Sequence, residues 1–198
     1  PGATVRPIEH VEDSEAQGVW DMKAIGLTPR DLVVGLSASG RTPYVLAALE
    51  YAKEIGCRTV IVSTNPVDKP FIDLVIAPEV GPEPIAGSTR MKSALAQKLV
   101  LQLASTTAMV MLGKVYGNLM VDLCAVTYKL RERAKRIVML LTGVGYEEAD
   151  ELLKRAGGSA KVAVLMKLKG VSREEALELL ERTGRSLRRA LGEGQGAD

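Results

Sequence analysis

The chain has 198 residues, 46% apolar and 25% charged, with a formal net charge of +2. That length allows one sizeable core, or one core with a small satellite, and the composition is ordinary for a globular protein. So weak a charge, with no basic run interleaved with aromatics, sets nucleic acid aside as a partner. With aromatics at 4%, the core is expected to be aliphatic.

Residues 11–25 (VEDSEAQGVWDMKAI) read as a helix whose first-turn acids suit the helix dipole, and Gly26-Leu27-Thr28-Pro29 breaks it. Residues 31–36 (DLVVGL) form a short β-rich run of the kind expected for a strand covered on both faces. A helix over 43–55 follows, ended by Gly56, then strands over 58–63 and 73–77. Strand, helix and strand with short connections imply a right-handed βαβ crossover and a parallel sheet. The spacing then predicts a long apolar helix over 89–112, central in the fold, and another over 121–140. After Gly143 come three short amphipathic segments near 146–156, 159–168 and 172–182, the last opened by a capping box, Ser172 with Glu175. The fold class is therefore α/β, a parallel-sheet domain over 1–142 with a small helical bundle over 143–191 and a loose tail over 192–198.

Cys57 and Cys124 lie far apart, and neither belongs to a Cys/His cluster, so no metal site is expected. Both read as buried, reduced thiols, which fits a cytoplasmic protein. The longest apolar-rich stretch, 95–112, is interrupted by Gln97, Lys98, Gln102 and Ser105–Thr107, so a buried helix is expected rather than a membrane span. The chain opens at Pro1 without a methionine, and its first residues lack the basic and apolar character of an export signal, which reads as a fragment or a processed piece.

The chemistry concentrates at two loops. In DLVVGLSASGRTPYV a strand ends at Leu36, and a helix opens with Thr42 as N-cap and Pro43 at N1. Ser37, Ser39, Gly40, Arg41 and Thr42 thus stand at a helix N-terminus on the carboxyl edge of the sheet, where free N–H groups favour an anion. Three hydroxyls add donors, and Gly40 permits close backbone approach. An ordinary βα turn with a good cap is the plainer alternative. The second loop, GPEPIAGSTRMK, also leads from a strand into a helix, with Ser88 or Thr89 as cap. It gathers Glu83, Ser88, Thr89, Arg90 and Lys92, and the two cations exceed what a cap needs. A third polar stretch, residues 113–120 (GKVYGNLM), either completes a site or simply joins two helices.

GLSASGRTPYVLAALEYAKEIGCRTVIVSTNP, GPEPIAGSTRMKSALAQKLVLQ and GKVYGNLMVD together resemble the N-acetylmuramic acid 6-phosphate etherases. These belong to the sugar isomerase (SIS) superfamily, which also holds the glucokinase regulatory proteins. The resemblance runs from about Ile8 to Leu191. It implies an SIS-type sandwich with a UBA-like helical C-terminus, a phosphorylated amino sugar as ligand, no cofactor and a homodimer. The reaction it implies cleaves the D-lactyl ether during cell-wall recycling, with Glu9 aligned to one of the family's two catalytic glutamates. Carboxylates suit paired acid–base work once their environments separate their pKa values. His10, the only histidine, is read as a surface residue. The resemblance also implies about a hundred preceding residues, of ordinary domain size, with the first strand of the sheet, another phosphate loop and the second glutamate, so that the sheet of this chain is partial. Two alternatives remain open: a non-catalytic sensor of the glucokinase-regulator type, and an aldose–ketose isomerase.

Overall fold

The computed structural model describes residues 10–123 and 125–193. Glu9, Cys124 and the tail beyond 193 lie outside the described residues. The chain separates into two compact units, one reaching to Leu103 and the other beginning at Ala104.

Among the described residues the first unit begins with a 3-10 turn at Val11–Asp13 and helix α1, Glu15–Ala24, whose N-cap Ser14 accepts from the Gln17 N–H. Strand β1 (Leu32–Leu36), helix α2 (Pro43–Ile55), strand β2 (Arg58–Val62) and strand β3 (Leu74–Ile76) follow. The three strands are parallel in the order β1-β2-β3, with Gly35 opposite Ile61 and Val60 opposite Leu74. The expected α/β class is therefore observed. Residues alternate across the sheet, so Gly35 and Ile61 share the face on which α2 lies. A Cβ at Gly35 would come within 2.6 Å of Val45 Cγ1 and 2.8 Å of Leu49 Cδ1. The absence of a side chain there is what lets α2 settle onto the sheet, burying Ala48, Leu49 and Ala52. Cys57 is buried as a free thiol, as expected.

Asp73 ties this unit together. Its carboxylate takes the Lys53 ammonium from α2 and the Thr59 N–H from β2, at 2.9 Å. Those two partners, the lysine first, hold its carboxyl at about 2 against an ordinary 3.8. A depressed carboxyl contributes its full stability above the unfolded value and loses it as pH falls through the folded one. Asp73→Asn is thus expected to flatten the loss of stability that the wild type shows between pH 3.8 and about 2. Urea midpoints across that window check it; parallel curves for the two proteins would contradict it.

Two expectations about burial are corrected. Strand β1 is not covered on both faces: Leu32, Val34 and Leu36, which share one face, are all exposed. Helix α3, Lys92–Met111, is not central, for only Ser93 in it is buried, while Leu95, Leu99 and Leu103 lie open on one stripe. Apolar composition shows that a surface can be buried, not that this chain supplies the cover.

The second unit holds the larger core. Residues 113–120 form a hairpin, β4 (Val115–Tyr116) with β5 (Leu119–Met120), turned by Gly117-Asn118 with Gly117 at φ 55°. The helix expected over 121–140 begins later, as α4 at Tyr128–Thr142. Val121 and Asp122 instead donate back to the Lys114 carbonyl, and the Thr127 hydroxyl caps α4 through the Leu130 N–H. Helices α5 (Tyr146–Arg155), α6 (Ala160–Lys169) and α7 (Arg173–Arg182) match the three expected segments, and α8 (Leu187–Leu191) follows. The capping box at Ser172 and Glu175 is present, with both bonds made. Helix α6 is not amphipathic as expected: every residue from Ala160 to Met166 is buried. A helix that is apolar all round belongs inside, and α6 is the centre on which α4, α5, α7 and α8 pack.

Lys161 is the one cation in that buried run. Its ammonium lies 3.3 Å from Asp122 and 2.9 Å from the Arg185 carbonyl, while Lys114 reaches the other Asp122 oxygen at 2.8 Å. Burial pulls the Lys161 ammonium below its ordinary range, against the opposing pull of Asp122. No helix among the described residues is long and apolar enough to cross a membrane.

Candidate phosphate-binding site

At the carboxyl edge of the sheet, the loop after β1 folds around its own hydroxyls. Ser37 is buried, and its Oγ lies 2.8 Å from Thr42 Oγ1 and 3.4 Å from Ser39 Oγ. The same oxygen accepts the Gly40 N–H at 3.0 Å, and Ser39 Oγ accepts the Arg41 N–H at 3.2 Å. Thr42 occupies the N-cap of α2, as expected, yet its side chain makes no capping bond. The hydroxyl is turned into the loop, leaving the first N–H groups of α2 without an intrahelical acceptor. Gly40 sits at φ 70°, and a Cβ there would fall 2.3 Å from Val67 Cγ2.

The second loop is built differently from the sequence expectation. Helix α3 starts at Lys92, not 89, and neither Ser88 nor Thr89 caps it. Glu83 does so from nine residues upstream: Oε2 accepts the Lys92 N–H and Oε1 the Ser93 N–H, both at 3.0 Å. Those bonds, Ser93 first, hold its carboxyl below the usual range. Lys92 Nζ returns to the Pro82 carbonyl at 2.8 Å. Glu83 and Lys92 therefore close the loop on itself, and Thr89 and Arg90 are released from capping.

Both loops open onto one cleft of about 1010 Å³. Ser37, Ser39, Arg41 and Thr42 line it from the first loop and Thr89 and Arg90 from the second, with Tyr44 and Gln97 beside them. Gly40, Glu83, Ser88 and Lys92 are not among its lining residues. Glu9 lies outside the described residues, but His10 to Asp13, which follow it, line the cleft. His10 is exposed, as expected for a surface residue. Two guanidiniums and three clustered hydroxyls can receive a phosphate; the nearby acids Glu12 and Asp13 can face the neutral part of a sugar. Among the described residues no group of three or more His, Cys, Asp or Glu is placed to hold a metal ion.

Sequence reasoning passed over the residues behind the cleft. The Ala38 carbonyl accepts from the Thr64 N–H, the Thr64 hydroxyl and Asn65 Nδ2, at 3.1, 3.0 and 2.8 Å. Gln97 Nε2 donates to the Val62 carbonyl at 3.1 Å. A signal was there: Ser63-Thr64-Asn65-Pro66 is a polar run directly after a parallel strand, at the same sheet edge as Ser37–Thr42.

No protein-family model matches the chain. It is 53% identical over 167 residues to a protein of Enterobacter sp. (strain 638) named N-acetylmuramic acid 6-phosphate etherase, which covers 83% of this chain and 56% of the relative. Proteins of the same name from Salmonella schwarzengrund and Salmonella paratyphi A are 52% identical over 168 residues, with the same coverage. The chain spans a little more than half the length of these curated relatives. Over that span, it is homologous to the N-acetylmuramic acid 6-phosphate etherases.

Proposed function

We propose that this chain carries the phosphate-binding half of an N-acetylmuramic acid 6-phosphate etherase, acting in the cytoplasm in cell-wall recycling. The observation that supports it most is the shared cleft. Ser37, Ser39 and Thr42 hydroxyls from one loop and Thr89 and Arg90 from another face the same space, as a phosphorylated sugar requires. The phosphate seats at the Ser37–Thr42 loop, on the N-terminus of α2. Ser88, Glu83 and Lys92 contribute by shaping the second loop.

In this reading Glu9, which in sequence directly precedes the cleft-lining residues His10–Asp13, serves as one member of an acid–base pair. The base takes the proton at C2 of the sugar. As the electron pair moves toward C3, the C3–O bond breaks and lactate leaves with a proton from the acid. Water then adds to the unsaturated sugar, giving N-acetylglucosamine 6-phosphate and D-lactate. Carboxylates can carry both proton transfers. The exposed stripe Leu95, Leu99 and Leu103 supports a homodimer, which would cover it.

The test supplies N-acetylmuramic acid 6-phosphate to an active parent that joins this chain to the implied second glutamate and assays D-lactate, with binding followed by calorimetry. Lactate release that Glu9→Gln abolishes while sparing binding is the expected result. Ser39→Ala should instead weaken binding about tenfold, the worth of one hydrogen bond to a charged group. Binding without lactate release would shift the reading to a sugar-phosphate sensor, and neither binding nor release would sink it.

A further inference from the structure

The two loops of the cleft come from different connections, and a line of hydrogen bonds through Thr64 and Ser93 joins them. The Ala38 carbonyl, in the middle of the first loop, meets the Thr64 hydroxyl at 3.0 Å. That hydroxyl lies 3.0 Å from the Ser93 hydroxyl. The Ser93 N–H then meets Glu83 Oε1 at 3.0 Å, and Glu83 Oε2 holds the Lys92 N–H at the same distance. Ser93 is the only buried residue of α3, at 3% exposure. A hydroxyl has one proton and two lone pairs, so Thr64 can give to one neighbour and receive from the other. Neither Thr64 nor Ser93 lines the cleft.

From this geometry we propose that Thr64 and Ser93 are positioning residues whose hydroxyl pair sets the separation of the two anion-binding loops. The proposal rests on the reading of Ser37–Thr42 as a phosphate cradle. Three features require such a device. The first loop is fixed to the sheet only through Ser37 N–H to the Val62 carbonyl and through the Ala38 carbonyl. The second loop is fixed to α3 through Glu83, but Glu83 by itself says nothing of where α3 stands against the first loop. A phosphate held by hydroxyls at one loop while Arg90 approaches from the other needs both at once, within the few tenths of an ångström that a hydrogen bond tolerates. The Thr64–Ser93 contact is the tie that reaches the middle of the first loop, beside the route from Gln97 through the Val62 carbonyl to the Ser37 N–H, and losing half of a part-buried contact leaves a polar group unpaired.

The experiment compares wild type with Thr64→Val, Thr64→Ser, Ser93→Ala and the double variant Thr64→Val/Ser93→Ala. Glucosamine 6-phosphate is titrated by calorimetry, and amide hydrogen exchange is followed at residues 38–42 and 88–93. Each single loss of a hydroxyl should weaken binding about tenfold or more, and the double variant should be no weaker than Thr64→Val, which already removes both the Ser93 contact and the bond to the Ala38 carbonyl. Thr64→Ser, which keeps the hydroxyl, should restore affinity to within about twofold. Thr64→Val should also speed exchange at the Lys92 and Ser93 amides, a segment it does not adjoin in sequence. Wild-type affinity in Thr64→Val, or losses that multiply in the double variant, would overturn the proposal. If even the wild type fails to bind the sugar phosphate, the cradle reading fails. Exchange still decides the tie: Lys92 and Ser93 amides unmoved by Thr64→Val would sink it, and faster exchange there would uphold it.

Discussion

Gly40→Ala is expected to destabilise the first unit by about 3 kcal/mol and to remove sugar-phosphate binding. Two independent costs add. A side chain at φ 70° is held in the left-handed region, at about 1–2 kcal/mol. Its Cβ would also stand 2.3 Å from Val67 Cγ2 and 3.1 Å from Ser63 Oγ, and overpacking of that kind costs about 1–3 kcal/mol. Room for it requires Val67 to shift, and Val67 stands on the loop after β2, which carries Thr64 and Asn65 and hence the bonds to the Ala38 carbonyl. Relief by displacing residue 40 instead would pull its N–H from Ser37 Oγ. Either response deforms the cradle. The two costs separate experimentally: Gly40→Ala/Val67→Ala removes the methyl and should recover about half the lost stability, leaving the conformational part. Urea midpoints with calorimetric titration of glucosamine 6-phosphate measure both effects. Full recovery, or none, would show that one of the two costs is wrongly assigned.

In the second unit the largest effect is expected from Asp122→Ala, at about 3 kcal/mol. This carboxylate stands between two ammoniums, Lys114 and Lys161, and only Lys161 is buried. Burial works against its charge, but the two lysines prevail and hold its carboxyl below the ordinary range. Removing one member of a buried pair costs about 3–5 kcal/mol, and the partly open position of Asp122 puts the expectation at the lower end. The diagnostic is pH. Without its counter-charge Lys161 should lose its proton more readily, so the variant should regain stability as pH rises toward 10, where the wild type gains less. Lys161→Met should be milder, because Asp122 keeps Lys114 and an apolar chain fills the same channel. A variant Asp122→Ala as stable as wild type at neutral pH would mean that Lys161 reaches solvent or finds another acceptor.

Much of the first unit was legible because its signals are local. Pro43 and Gly56 bracket α2, and β-branched runs mark β1 and β2, so these boundaries agree within a residue or two. The phosphate loop was legible for the same reason: its hydroxyls, glycine and proline fall within the seven residues Ser37–Pro43. The start of α3 was not, because its cap comes from Glu83, nine residues upstream, and no window of helix-capping pattern reaches that far. The hairpin at 113–120 was missed because its strands have two residues each, too short for alternation to register. Helix α6 misled in the opposite sense, since Lys161 and Lys167 lend it polarity on paper while Lys161 is paired inside. Exposure of β1 and α3 could not be read at all, for hydrophobicity describes a demand and not the partner that meets it.

That open strand changes how the chain behaves in a tube. On one side β1 bonds to β2; on its other side, among the described residues, no strand pairs with it. Its row of N–H and C=O groups there runs beside Leu32, Val34 and Leu36, uncovered and apolar. Natural sheets blunt such margins with charge, proline or a bulge, and Leu32–Leu36 has none of these. Such a margin can act as a template for a further strand, whether from another part of the same protein or from another molecule. The cleft lies at the end of this same strand, so its titrations are to be run at two protein concentrations. An affinity measured at one concentration would report the cradle and the template together.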